Sequence, residues 1–248
     1  MICLKEISIT FCKGTPLQHT IFQDFNLTIN NGEFVTVIGG NGAGKSTLLN
    51  LISGAILIDA GQITLDNIDV STWPMCKRAS FISRVFQDPL LGSYANLTIE
   101  ENLSIACSRG KCRTFKNALN KENRAFFKER LSEMGIGLEN RMNDKMGLLS
   151  GGQRQAVSLI MATLQPSKIL LLDEHTAALD PKMERLILKL TQRLVSEKNL
   201  TALMITHCMS QALEFGNRTL VMHQGKIAKD LKQHERSKLQ EGDLIQFF

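Results

Sequence analysis

A glycine-rich stretch near residue 40 constrains this chain more than any other feature. Residues 39–47 read Gly-Gly-Asn-Gly-Ala-Gly-Lys-Ser-Thr, the pattern of a phosphate-binding loop. An apolar run over residues 34–38 predicts a buried strand before the loop, and leucines on one face predict a helix after it. The glycines let backbone amides turn inward, and the helix N-terminus adds a positive dipole end. We expect a nucleoside triphosphate to be held by Gly39, Asn41, Gly42, Ala43, Gly44, Lys45, Ser46 and Thr47.

Two side chains of this loop have separate expected roles. Lys45 is expected to reach the β and γ phosphates, and the hydroxyl of Ser46 is expected to be one ligand of Mg²⁺. The alternative is a glycine-rich turn that merely joins a strand to a helix. Such turns rarely end in Gly-Lys-Ser-Thr at a helix start, so the stretch predicts nucleotide binding.

Composition sets broad limits on the fold and its location. The 248 residues are 43% hydrophobic and 21% charged, typical of a soluble chain of one large domain or one domain with a subdomain. The formal net charge of +5 suits a nucleotide or an anionic membrane surface but falls short of a nucleic-acid signature. No apolar stretch approaches the ~20 residues that span a bilayer, and the first residues carry no leader pattern. We therefore expect a cytoplasmic chain that reaches a membrane only through a partner.

The six cysteines have no C-x-x-C spacing and are expected to be reduced packing thiols.

Charged and titratable residues follow two further apolar runs. Residues 169–172 predict a buried parallel strand that ends at Asp173 and Glu174. A phosphate-loop enzyme needs carboxylates here: Asp173 to hold Mg²⁺, directly or through water, and Glu174 to orient or deprotonate the attacking water. His207 follows a strand predicted over residues 201–206, at the end where open parallel sheets bind their ligands. We expect it to sense the γ-phosphate.

A second glycine pair lies at the start of a long helix. Residues 149–155 read Leu-Ser-Gly-Gly-Gln-Arg-Gln, and an apolar helical pattern follows them. Two glycines are poor helix formers, so this start indicates that something approaches the backbone closely. Ser150 and the amides after it are expected to form a second anion site.

Three further features leave alternatives open. Phe11 lies just past a predicted strand and either stacks on an adenine ring or belongs to the core. Gln87, before Asp-Pro, ends a strand over residues 81–86 and by spacing alone is an ordinary turn residue. Residues 109–130 carry eight Lys or Arg against two Glu, which predicts a solvated helix face, a contact with anionic lipid headgroups or a protein partner.

In order, spacing and strand-helix context, these residues together resemble the ATP-binding subunit of ABC transporters over nearly the whole chain. The resemblance implies that residues 39–47 are the Walker A loop, residues 149–153 the signature motif and residues 169–173 Walker B. It also implies adenine stacking by Phe11 and a D-loop at Asp180. The implied catalytic residues are Glu174, His207 and Gln87, the implied Mg²⁺ ligands are Ser46, Gln87 and Asp173, and the residues implied to face the other protomer's nucleotide are Ser150, Gly151, Gly152 and Gln153.

The fold implied by the resemblance is an α/β P-loop ATPase with a mainly parallel core sheet, an antiparallel β layer and an inserted α-helical subdomain. We expect a single domain over residues 1–248, with the core and β layer at residues 1–87 and 161–248 and the helical subdomain at residues 88–160. His175 departs from the family, which usually has Pro there, and Ala177-Ala178 replaces a frequent Ser-Ala or Gly. Neither position carries the chemistry.

The implied function is ATP hydrolysis that powers a membrane permease, most simply in an importer of a small solute such as an amino acid. Residues 148–155 and 172–180 resemble a group of importer ATPases often assigned to tryptophan or tyrosine uptake. The implied partners are a second copy in an ATP-sandwiching homodimer, permease subunits and a solute-binding protein, at the cytoplasmic face of the cell membrane. We expect no nucleic acid, and ATP and Mg²⁺ are the implied cofactors.

Other functions of the same motifs remain open. One is a soluble ABC-type ATPase acting on ribosomes or DNA, although the second cassette or coiled-coil insertion usual there is missing. An ATPase of a lipid or export ABC system is another. A GTPase switch would need an Asn-Lys-x-Asp sequence, which is absent, and a binding module without turnover would not keep every catalytic position filled.

Overall fold

The computed structural model describes residues 1–110 and 119–245, as a mixture of strands and helices. The strands are β1 Ile2–Phe11, β2 His19–Ile29, β3 Phe34–Gly39, β4 Ala60–Leu65, β5 Ile68–Asp69, β6 Ile82–Val85, β7 Ile169–Asp173, β8 Thr201–Ile205, β9 Arg218–His223 and β10 Lys226–Lys232. The α-helices are α1 Lys45–Ser53, α2 Met75–Arg78, α3 Ile99–Cys107, α4 Lys121–Ser132, α5 Gly151–Leu164, α6 Pro181–Glu197, α7 Met209–Glu214, α8 Gln233–Arg236 and α9 Glu241–Ile245. Short 3₁₀ turns cover Pro89–Gly92, Leu138–Asn140 and Met146–Leu148.

The strands form two sheets. A six-stranded sheet has the order β10-β9-β3-β8-β7-β6, with parallel pairing from β9 to β6 and an antiparallel hairpin of β9 and β10 at one edge. A four-stranded sheet of order β2-β1-β4-β5 is antiparallel. The predicted combination of a mainly parallel sheet with an antiparallel layer is confirmed.

Alternating side chains of the parallel strands separate two hydrophobic cores. On β7, Leu170 and Leu172 belong to the core shared with α5 and α6, while Ile169 and Leu171 belong to the core shared with α1 and the antiparallel sheet. Because side chains alternate across a sheet, a strand covered on both faces is apolar at every position. This is why the central strands appear in the sequence as uninterrupted apolar runs.

Helices α3, α4 and α5 pack around one part of the first core. Thr98 caps α3 and forms a capping box with Glu101. Phe127 and Leu131 bury one face of α4, so its basic residues lie on the remaining faces. Part of the basic segment, residues 111–118, lies outside the described residues. The boundaries of the helical subdomain stay a prediction.

The polar end of the chain forms regular structure that the sequence did not predict. The polar tail after Asp230 forms the rest of β10, α8 and α9, and Arg236 of α8 is buried and donates to four backbone carbonyls that end α7 and precede β9. The sequence did not indicate this role, because a charged residue in a polar segment is expected to be exposed, whereas Arg236 is buried as a cap of helix carbonyls.

The prediction of packing thiols is wrong for Cys12, Cys76 and Cys208, which are free but exposed.

A second buried arginine ends the helix that follows the phosphate loop. Arg78 is fully buried and donates to five backbone carbonyls, including those of Leu51 at 2.6 Å and Ile52 at 3.0 Å in the last turn of α1. A cation at a helix C-terminus opposes the negative end of the dipole. Burial lowers the pKa of Arg78 to about 10, although Asp69 favours the charged form.

Replacing Arg78 by Met should destabilise the protein by about 3 kcal/mol, because buried carbonyls lose charged donors. Urea unfolding followed by circular dichroism measures the change. Lys77→Met in the same helix is the matched control, since Lys77 is exposed and lies over the Trp73 ring. Equal unfolding free energies for the two variants would contradict the capping role.

Candidate active site

The predicted site residues meet at one edge of the six-stranded sheet. β3, β6, β7 and β8 are parallel neighbours in this sheet, so their carboxyl ends lie on the same side. The phosphate loop follows β3, Gln87 follows β6, Asp173 ends β7 and His207 follows β8. Ligands of open α/β sheets bind at this edge.

Two glycines of the phosphate loop are required by close contacts. A Cβ on Gly39 would lie 2.3 Å from the carbonyl oxygen of Met222. Gly44 has a φ of +98°, and its Cβ would meet the Phe22 ring at 2.9 Å. Any other residue would displace the loop from the hairpin and from the antiparallel sheet, so both glycines fix the loop against its support.

The start of α1 differs from the starts of the two other helices that carry predicted site residues. Its N-cap is Gly44, and no side chain among the described residues caps it. By contrast, Ser150 caps α5 in a capping box with Gln153, and the Asp180 carboxylate caps α6 by accepting from the amides of Lys182 and Met183. A helix start with amides free of side-chain caps is a site for an anion.

Lys45 is the buried cation of the loop. Its side chain is 6% exposed, and Nζ donates to the carbonyls of Gly39 at 2.7 Å and Gly40 at 2.9 Å. Burial lowers the pKa of Lys45, while Glu174 and Asp173 oppose that shift by favouring the ammonium. The ammonium is thus held against the loop carbonyls, and the charges of both carboxylates act on it.

Glu174 has an unusual backbone. Its φ is +45°, in the left-handed region, and its amide donates to the carbonyl of Ile205 on the neighbouring strand. A non-glycine residue held there costs on the order of 1–3 kcal/mol, and such strain clusters at functional sites. Its carboxylate Oε1 lies 2.5 Å from His207 Nε2. The structure therefore brings these two predicted catalytic residues into direct contact.

His175, the departure from the family pattern, points away from the site into the core. It is 2% exposed, and its Nε2 lies 3.2 Å from the Thr191 hydroxyl of α6. Burial lowers the pKa of His175 to about 4, so the ring is neutral at neutral pH. It anchors the turn that carries Glu174 to the helix behind it.

Asp173 is paired with an arginine that sequence reasoning missed. Arg84 of β6 donates from Nη2 to Asp173 Oδ2 at 2.6 Å, and both side chains are mostly buried. β6 and β7 are adjacent, with Arg84 opposite Leu171. A charged residue inside the strand predicted over residues 81–86 was the signal in the sequence that could have shown it.

The remaining predicted site residues lie on three other segments. Ser46 is exposed in the first turn of α1, and Gln87 is exposed two residues after the end of β6. Phe11 is half-buried at the end of β1 and packs on the core, a placement that leaves its stacking role a prediction.

The donor set fits Mg²⁺, which retains several waters and is usually bound through one or two carboxylates plus substrate phosphates. Asp173 would supply the carboxylate, Ser46 a hydroxyl and Gln87 an amide oxygen. In the described part of the chain no group of three or more His, Cys, Asp or Glu could hold a metal by itself, so the phosphates would complete this site.

The signature and D-loop regions touch within one chain. A Cβ on Gly152 would lie 2.3 Å from Met183, three residues after Asp180. The Met183 side chain of α6 is therefore one of the groups that approach this glycine pair closely. Ser150, Gly151 and Gln153 lie at the exposed or half-exposed start of α5, and the capping box uses the amides of Ser150 and Gln153.

Buried amide side chains link the site to the surrounding helices, and the sequence analysis did not identify them. Gln155 of α5 is 1% exposed and donates from Nε2 to the carbonyl of Phe86, immediately before Gln87. Gln211 of α7 accepts from the Thr206 hydroxyl and also bonds Glu184 of α6. The segments at Gln87 and His207 are therefore both tied to helices.

Comparison with known proteins gives consistent matches. The ABC transporter family matches residues 22–177. The chain is 42% identical over 248 residues to a tyrosine transport ATP-binding protein of Clostridioides difficile, covering 100% of this chain and 98% of the relative. It is 35% identical over 221 residues to the thiamine import ATP-binding protein ThiQ of Shigella flexneri, covering 89% and 90%.

Solved structures show the same fold. The dimeric ATP-binding cassette MJ0796, in a post-hydrolysis state bound to ADP and Pi, superposes with a TM-score of 0.82 at 30% identity. The match covers 94% of this chain and 99% of the cassette.

The buried His175 predicts a specific pH dependence of stability. Because its pKa is about 4 when folded and about 6.5 when unfolded, the unfolded chain takes up a proton first as the pH falls. Stability is complete above pH 6.5 and declines toward pH 4, by about 2 kcal/mol between pH 7.5 and 5. Urea unfolding at both pH values should show this loss.

His175→Gln is the matched variant, since an amide can keep the contact with Thr191 without titrating. The loss between the two pH values should be smaller in this variant by the same about 2 kcal/mol. An identical loss in wild type and variant would show that His175 does not cause it.

Proposed function

The chain belongs to the ABC transporter family, and from that premise we propose that it is the ATP-hydrolysing subunit of an importer for a small solute such as an amino acid. Members of this family hydrolyse ATP. The observation that carries the proposal is the meeting of Lys45, Asp173, Glu174 and His207 at one sheet edge. The identity of 42% with a tyrosine transport protein supports an aromatic amino acid as the solute.

Nucleotide binding follows from the loop geometry. The uncapped amides at the start of α1 and the Lys45 ammonium would compensate the phosphate charge. Lys45 would exchange its bonds to the loop carbonyls for phosphate oxygens. Phe11 is proposed to stack on the adenine, and Ser46, Gln87 and Asp173 are proposed to hold Mg²⁺, which neutralises phosphate charge when bound.

Hydrolysis requires a base beside the γ-phosphate, and Glu174 is proposed for this role. Its carboxylate would accept the proton of the attacking water. His207, at the end of β8, is in contact with that carboxylate and would fix its direction. The strained backbone of Glu174 supports the assignment because strain is retained where geometry matters.

Two copies are proposed to enclose the nucleotide head to tail. The similar cassette MJ0796 is dimeric with ADP and Pi, which supports this arrangement. Gly151 and Gly152, at the partly exposed start of α5, would offer amides to the partner's γ-phosphate, with Ser150 and Gln153 beside them. Asp180 is adjacent through Met183 and would lie at the same interface.

A permease is proposed to dock on an apolar surface beside Gln87. The 3₁₀ turn Pro89–Gly92 exposes Leu91 by 70%, and Tyr94 is 61% exposed. Exposed apolar clusters of this kind mark protein contacts. Among the residues that the structure describes, no helix is long and apolar enough to cross a membrane. Peripheral attachment to permease subunits at the cytoplasmic membrane face, together with a solute-binding protein, completes the proposed importer.

Lys45→Ala should abolish both nucleotide binding and transport, because phosphate charge then stays uncompensated in a desolvated loop. Calorimetry with ATP measures binding, and uptake of labelled tyrosine and other amino acids measures transport in cells that carry only the variant. The exposed Lys189→Ala is the matched control and should behave as wild type. Normal uptake of every amino acid by the Lys45→Ala strain would contradict the proposed importer.

Glu174→Gln should lower hydrolysis by roughly 10² or more, as expected for loss of a positioned base, while ATP binding persists. Retained ATP should then convert the monomer to a stable dimer, which size-exclusion chromatography with light scattering detects. A further Ser150→Arg change should prevent dimerisation by blocking the facing phosphate site.

Two results would contradict this assignment. Undiminished turnover would remove Glu174 from its catalytic role. A Glu174→Gln protein that binds ATP but stays monomeric at tens of micromolar would exclude a dimer that forms without the permease.

A further inference from the structure

Arg84 makes two polar contacts beside the candidate site that none of the motifs accounts for. Its Nη2 donates to Asp173 Oδ2 at 2.6 Å, and its Nη1 donates to Asn50 Oδ1 at 2.7 Å. The side chains of Arg84 and Asp173 are only 13% and 16% exposed. One guanidinium therefore bridges the end of β7 and the middle of α1.

The position of Asn50 gives this bridge its significance. Asn50 lies four residues after Ser46 on α1, and residues four apart occupy the same helix face. Arg84 thus connects the carboxylate of Asp173 to the helix face that presents the Ser46 hydroxyl. These are two of the three proposed Mg²⁺ ligands.

The guanidinium is held in place by its surroundings. Its carbon lies 4.7 Å from the centroid of the Phe86 ring, a cation–π distance. The backbone carbonyl of Phe86 is in turn held by the buried Gln155. A planar fork can donate to two acceptors in fixed directions, whereas a lysine ammonium is a point charge on a flexible stem.

We propose that Arg84 is a positioning residue for Mg²⁺ at the nucleotide. By binding Oδ2 of Asp173, it leaves Oδ1 as the oxygen available to the metal and fixes it relative to Ser46. Carboxylates that ligate metals are themselves hydrogen-bonded, and loss of such partners costs about 10–100-fold in metal affinity. This inference rests on the proposed nucleotide site.

A different role predicts the opposite effect. If Arg84 only neutralised Asp173, its removal would leave a more negative site and strengthen cation binding. If Arg84 positions the carboxylate, its removal weakens the metal-dependent part of nucleotide binding. The direction of the change therefore separates the two roles.

The test is calorimetric titration with a non-hydrolysable ATP analogue, once in EDTA and once with Mg²⁺. The ratio of the two dissociation constants reports the contribution of the metal. Arg84→Met should reduce that ratio by about tenfold, with affinity in EDTA changed by less than about twofold. Arg84→Lys should restore part of the ratio, because it keeps the charge but not the fork.

Asn50→Leu is the second informative variant. It keeps the Arg84–Asp173 pair and removes only the link to α1, so it should lower the ratio less than Arg84→Met does. Thermal unfolding shows that each variant is folded. If Arg84→Met does not fold, Arg84→Lys and Asn50→Leu decide the matter, since both retain a cation beside Asp173.

Failure of this inference and failure of the proposed function give different results. A ratio in the folded variants equal to or above that of wild type would overturn the role of Arg84. No analogue binding by the wild-type chain, with or without Mg²⁺, would refute the nucleotide site itself.

Discussion

The site depends on compensating two adjacent carboxylates at the end of a strand that is buried on both faces. Charges removed from water are tolerated only when they are paired or hydrogen-bonded. Asp173 is paired with Arg84, and Glu174 contacts His207. The ammonium of Lys45 interacts electrostatically with both carboxylates. Each of these three basic side chains lies on a different segment: Arg84 on β6, Lys45 at the start of α1 and His207 after β8. The order of the strands in the sheet therefore determines whether they can meet the carboxylates.

The turn that carries these carboxylates is held from behind by one helix. His175 is buried against Thr191 of α6, and Asp180 caps the first turn of the same helix. Residues 173–180 are therefore fixed to α6 at two points, one inside the core and one at the surface. This attachment helps to keep Glu174 in its strained conformation, because a non-glycine residue in the left-handed region persists only where its surroundings determine it.

The sequence predicts those parts of the site that depend on local pattern. The glycine loop, the helix after Lys45, the paired carboxylates and the histidine after β8 each follow a recognisable signal, and their meeting at one sheet edge follows from parallel pairing. Contacts between distant segments were not predictable. Arg84 and Gln155 act through partners 89 and 69 residues away, and neither lies in a pattern that specifies a partner. The capping arginine Arg236 was missed for the same reason.

The different starts of α1 and α5 imply an order of events under the proposed function. No side chain of the described residues caps α1, so its first amides gain most from a polyanion. The start of α5 already has a capping box between Ser150 and Gln153, which leaves the amides of Gly151 and Gly152 to make new bonds. The loop beside α1 is therefore the stronger phosphate site in a single chain. The two glycine amides of α5 add binding energy only after a phosphate is presented by the partner's loop, which places nucleotide binding before closure of the dimer.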